Sequence, residues 1–134
     1  RMAEKEKGFT PLHALALITG RSLVLDRVRD VLALLPVLHE VAPELPVGIH
    51  GRRGGAWIAL LAGLVDRRID RLTLERYPRS FEDVMDCDMP LCQPDLYLPN
   101  LLTRGVDVKG LIEAFDGKVH CTEPLGPQLT PVSD

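Results

Sequence analysis

VGIHGRRGGAWIALLAGLV, residues 47–65, opens with a short apolar run and closes with a segment rich in Ala and Leu. The run VGIH has the length of a buried strand. Residues 54–65, apolar nearly all round, read as a helix that must be covered on most faces. Between them lies the cluster Gly51-Arg52-Arg53-Gly54-Gly55. In an open parallel sheet, the passage from a strand's carboxyl end into a helix is where ligands and nucleophiles are held. The spacing of Gly51 and Gly55 is that of a nucleophile elbow, G-x-S-x-G, whose small residues permit a sharp turn that lifts the central side chain above the sheet. Here the central residue is Arg53, which stays protonated and cannot act as a nucleophile. The same turn suits an anion, because a helix start offers free N–H groups and a partial positive charge, to which Arg52 and Arg53 add two more. Gly51, Arg52, Arg53, Gly54 and Gly55 are therefore the candidate binding residues, for phosphate or carboxylate. The alternative is that both arginines face solvent or pair with Asp66, Asp70 or Glu75.

Outward from this stretch, the pattern alternates. Upstream, residues 9–18 form a short apolar segment with Thr10 as N-cap before Pro11 and Gly20 as its stop. Residues 22–41 place Val24, Val28, Val31, Leu35 and Leu38 at helical spacing, with Ser22 as cap and a kink or end expected near Leu35 because of Pro36. Residues 42–46 read as a loop. Downstream, residues 66–71 form a charged turn and residues 71–76 alternate Leu72 and Leu74 with polar neighbours, a strand signal. Residues 77–105, with four prolines and two cysteines, read as a long irregular excursion holding one helical turn at 80–85. A short helix capped by Asp107 and a third strand at 118–122 follow, and the tail after Pro124 reads as frayed. The order predicts an α/β domain spanning 1–134, with about three parallel strands and flanking helices on both faces of the sheet.

Composition narrows the function classes. The chain has 134 residues, 46% hydrophobic and 26% charged, with a formal net charge of -3 and a pI near 5.8. Those figures suit a folded domain and leave no basic footprint for nucleic acid. No apolar run is long enough for a membrane-spanning helix. Three cysteines cannot make a fully paired disulfide framework, and the charged opening RMAEKEKGFT is no secretory signal, so no compartment is assigned. Since the chain starts at Arg1, it is expected to be a trimmed or excised piece of something longer.

The remaining chemistry-bearing residues form no recognised constellation. Cys87, Cys92, His120 and Cys121 lack zinc-site spacing, and neighbours on a strand point to opposite faces, so neither metal nor cofactor is assigned. Cys87 and Cys92 pair only if the protein is exported; otherwise they are free thiols. His13, His39 and His50 read as packed or surface residues, Arg29 and Asp30 as an exposed helix face, and Trp57 as core. Asp86 and Asp88 are the acidic residues of the excursion that can approach the elbow.

Residues 20–83 resemble α/β-hydrolases of the acetyl xylan esterase-like group. The resemblance rests on G-R-S-L and R-x-x-D-V-L in a helix, then a strand, the elbow, a helix ending in D-x-R-I, and a strand leading into an excursion. PNLLTRGVDVKGLIEAFDGKVHC, residues 99–121, is similar to the segment of that group in which a short helix precedes the strand carrying the acidic triad residue. The resemblance implies the C-terminal portion of an α/β-hydrolase-like three-layer fold, and carboxylic ester hydrolysis with deacetylation of a carbohydrate as the family's activity. Carried over residue by residue, it puts Arg53 at the serine position and Gly126 about where the acid sits. The histidine would fall beyond Asp134, and the oxyanion-hole loop before Arg1. No catalytic residue is therefore assigned, and Ser22, Ser80 and Ser133 all lie off the elbow. The implied activity is lost or depends on parts of the fold outside this chain; the alternative is a non-catalytic anion-binding or structural module.

Three strands leave open sheet edges, and a partial sheet needs either the missing N-terminal half of the fold or a second copy to cover them. Sedimentation of the purified chain is expected to show self-association. A cooperatively melting monomer would overturn this expectation.

Overall fold

Parallel strands cannot be joined by a tight turn, so each must return through a crossover that crosses one face of the sheet. A computed structural model, describing residues 11–91 and 96–133, shows this arrangement. The elements run α1 (Pro11–Ile18), α2 (Leu23–Val41), β1 (Val47–Arg52), α3 (Gly54–Val65), β2 (Ile69–Glu75), α4 (Phe81–Met85), α5 (Val108–Glu113) and β3 (Lys118–Thr122). The strands form one parallel sheet in the order β1-β2-β3. The protein is thus α/β, a three-stranded parallel sheet with flanking helices.

The strand sequences sort their side chains by face. Ile49 pairs with Leu72 and Gly51 with Leu74, while His50 pairs with Thr73 and Arg52 with Glu75. In β3, Val119 continues the apolar row beside Leu72, and His120 continues the polar row beside Thr73. A register shift after Val47 passes over Asp70, which lets both Ile69 and Leu72 reach the core three residues apart. The apolar face lies under α3, and α2 packs on α3 in turn. On the opposite face Gly48, His50, Arg52, Arg71, Lys118 and His120 are exposed among the described residues. Clean alternation of this kind marks a sheet solvated on one side, whereas strands covered on both faces read as continuous apolar runs.

The core is mainly aliphatic, with Trp57, Tyr77, Phe81 and Phe115 as its aromatic members. Trp57 is 1% exposed. Its Nε1 donates to the Leu96 carbonyl at 2.9 Å, and its ring meets Phe81 edge-on at 4.9 Å between centroids. The middle of α3 is buried at Ala56, Trp57 and Ala59 through Gly63, while Val65 at its end is exposed.

Several boundaries differ from the sequence reading. Of the kink or end expected near Leu35, the end does not occur: α2 continues through Pro36 to Val41, the limit its apolar spacing gave. Pro36 lies on the exposed side, so its ring disturbs no core packing. Leu38 is not core: with Leu34, Val37 and Val41 it forms a second apolar stripe that stays exposed. β1 runs two residues beyond His50, and β2 begins at Ile69, which shortens the charged turn. The tail is not frayed. Pro124, Leu125 and Gly126 are buried, and Leu125 bridges both Pro78 and Pro131. The Thr10 cap, the His13 side chain and the Cys92 half of the suggested disulfide lie outside the described residues.

One carboxylate ties the excursion to the helix before β3. Asp107 caps α5 through the Val108 amide at 2.8 Å and also accepts from the Phe81 amide at 2.8 Å and from the Ser80 hydroxyl. Ser80 in turn caps α4 by accepting from the Asp83 amide at 3.0 Å. Partial burial pushes the Asp107 carboxyl up, but the Ser80 hydroxyl and the amides of Phe81, Val108 and Glu82 together outweigh it and hold it below the ordinary carboxylate value. A carboxylate lowered on folding contributes stability that is complete above its unfolded pKa of about 3.9 and is lost as pH falls through the folded value. Urea unfolding should therefore show stability falling below about pH 4. Asp107→Asn, which keeps the amide contacts but cannot accept from Ser80, is expected to be less stable at pH 7 and to flatten that slope. Asp66, held at about 2 chiefly by the Arg68 hydrogen bond, supplies part of what remains. An unchanged acid slope in the variant would show that Asp107 is not linked to folding.

Candidate functional site at the turn between β1 and α3

The turn is forced by a close approach. A β-carbon at Gly51 would lie 2.5 Å from the Ala56 Cα, and closer still to the Gly55 carbonyl oxygen. Only glycine lets the end of β1 pass beneath the first turn of α3. At Gly55 an added β-carbon would meet nothing within 4 Å, so the second glycine of the spacing is not needed to clear any described neighbour. With the strand ending at Arg52 and the helix starting at Gly54, the change of direction falls on one residue. Arg53 takes it at φ 54° and ψ -124°, a left-handed conformation that arginine rarely adopts. It is held on both sides: its amide donates to the Glu75 carbonyl at 2.8 Å, and its carbonyl accepts from the Ala56 amide at 3.0 Å.

The two adjacent arginines part company. Arg52 lies on the open face, where its Nε is 2.9 Å from Glu75 Oε1, and His50 Nε2 is 3.2 Å from the other Glu75 oxygen. The pairing considered from sequence therefore holds for Arg52. The guanidinium of Arg53 makes no ion pair among the described residues; Asp66 is taken by Arg68 at 2.6 Å.

Arg53 and Gly54 line a cavity of about 150 Å³. Leu125, Gly126 and Leu129 from the tail line it too, with Val84 and Leu96 from the excursion. Main-chain bonds position the tail: the Leu125 amide donates to the Tyr77 carbonyl at 2.8 Å, and the Arg79 amide to the Leu125 carbonyl at 3.0 Å. Gln128 Nε2 reaches the Met89 carbonyl at 2.8 Å. Arg53 and Gly126, far apart in sequence, thus face the same space.

The sequence reading missed Arg76, which also lines the cavity. It follows the last residue of β2 at φ 52°. Its Nε is buried without a hydrogen bond, although Glu123 Oε2 lies 3.4 Å away. The rule that singled out the carboxyl end of β1 applies equally to β2, and would have found it.

The other candidates lie elsewhere. Asp86 and Asp88 are exposed and do not line the cavity. Ser22 begins α2 without a side-chain cap bond, Ser80 is engaged with Asp107, and Ser133 is exposed. His50 and His120 share the open polar face. Among the described residues no three of His, Cys, Asp and Glu come together as a metal site, and no helix is long and apolar enough to cross a membrane. Compared with protein-family models, curated proteins and solved structures, the chain matches none.

Left-handed backbone at a non-glycine residue costs about 1–3 kcal/mol. Arg53→Gly is therefore expected to raise the unfolding free energy by about 1 kcal/mol in urea titration, net of the extra chain entropy of glycine. A loss of stability would show that the Arg53 side chain, and not backbone conformation, dominates there.

Proposed function

We propose that the chain is the C-terminal portion of an α/β-hydrolase-like protein in which the elbow binds an anion and does not attack an ester. The observation that carries this reading is Arg53 itself. It occupies a one-residue strand-to-helix turn at positive φ, its guanidinium has no ion pair among the described residues, and it borders a cavity into which Arg76 also faces. A serine there would be a nucleophile needing a base and an orienting acid within hydrogen-bond reach. Arginine supplies a fixed positive charge and a fork of donors suited to carboxylate or phosphate. The family resemblance of residues 20–83 and 99–121 supports the scaffold, and loss of ester hydrolysis follows from the residues standing at the elbow and at Gly126.

Two measurements test this. Intact mass after treatment with a fluorophosphonate probe is expected to show no stoichiometric adduct. An adduct abolished by Ser22→Ala, Ser80→Ala or Ser133→Ala would instead make the chain a serine hydrolase. Thermal unfolding in phosphate or acetate is expected to shift upward, by an amount approaching about 2.7 kcal/mol at a hundredfold excess over Kd, with the shift removed in Arg53→Ala. Absence of any shift in the parent chain would reduce the turn to a structural element.

A further inference from the structure

We infer that the ligand of this cavity is a monocarboxylate with an apolar body about the size of a benzene ring, its carboxylate held between Arg53 and Arg76; the inference rests on the anion-binding reading above. The lining is sharply divided. Its charged residues are two arginines, Arg53 and Arg76, and the remainder is glycine, Pro78 and the aliphatic residues Val84, Leu96, Leu125 and Leu129. A phosphate dianion in that setting would keep oxygens turned toward aliphatic walls without donors, which is costly. A carboxylate presents two oxygens to the guanidinium side and its own apolar tail to the rest. The space, about 150 Å³, compares with an engineered apolar cavity of that volume known to hold benzene.

Arg76 adds a second argument. A buried donor with no hydrogen bond is uncommon and calls for a partner, and the Arg76 Nε is such a donor. Its ion-pair neighbour Glu123 is 58% exposed at the side chain and stands at 3.4 Å without hydrogen-bond geometry. Glu123, a solvated carboxylate just after β3 that is not among the residues lining the cavity, thus holds Arg76 only loosely. Glu123 is a competitor for Arg76, and a bound acid displaces it.

Calorimetric titration of the full chain with benzoate, inorganic phosphate and benzyl alcohol separates the possibilities. Benzoate is expected to bind at least about tenfold more tightly than either of the others, since loss of one charged contact or of the apolar body each removes on the order of 1.4 kcal/mol. Arg76→Gln should weaken benzoate by about tenfold. Leu129→Ser, at a 45% exposed position where folding is not at stake, should weaken benzoate and leave phosphate unchanged. Glu123→Gln should strengthen benzoate by removing the competitor. Phosphate binding as tight as benzoate, still dependent on Arg53, would overturn this inference while leaving the anion reading intact. Benzyl alcohol matching benzoate would also overturn it, because the guanidinium groups would then contribute nothing. Failure of both anions would overturn both readings.

Discussion

The closest constraint in the molecule is the contact of β1 with the first turn of α3 at Gly51, where a β-carbon would press into the backbone of Gly55 and Ala56. Because the chain passes so tightly there, strand and helix are separated by Arg53 alone, and that residue takes the left-handed conformation. The strain is tolerable because the residue is fixed on each side, by the Glu75 carbonyl and by the Ala56 amide. It also determines where the guanidinium goes. Extended backbone at this position would have continued the alternation of β1, whereas the reversal leaves Arg53 bordering the cavity and Arg52 beside Glu75 on the open face.

The cavity depends on segments remote from that turn. Trp57, on α3, holds the Leu96 carbonyl, so the helix that begins at the elbow also anchors part of the lining. The tail supplies another part through Leu125, which continues parallel pairing beside Pro78 and turns back against Pro131. Asp107 serves two helix starts at once and thereby joins the excursion to the element preceding β3. These are polar ties laid over an aliphatic core; they specify position more than they add stability, since each net hydrogen bond contributes only about 1 kcal/mol.

The sheet has two unlike faces, and the division explains how charge is distributed. Apolar residues meet α3, while His50, Arg52, Glu75 and His120 remain on the solvated side with ordinary exposed ion pairs. Positive charge accumulates at the carboxyl ends of β1 and β2, where Arg53 and Arg76 border an otherwise apolar space.

Much of the architecture was legible in the sequence because it rests on local signals. The apolar helix at 54–65, the alternation of Leu72 and Leu74, the cap at Asp107 and the strand at 118–122 each declare themselves within a few residues, and β3 and α3 fall where their patterns place them. The glycine spacing likewise marked the turn and its central arginine. What local pattern could not fix was set by contacts across the chain. Pro36 is accommodated because α2 exposes that side, the tail after Pro124 is placed because Leu125 finds Tyr77 and Arg79, and Arg76 joins Arg53 only because β1 and β2 lie side by side and end together. Sequence determined the elements and the residue at the elbow, through periodicity and steric size. Tertiary structure alone decided which distant side chains share the cavity, because that depends on strand register and on the docking of the tail.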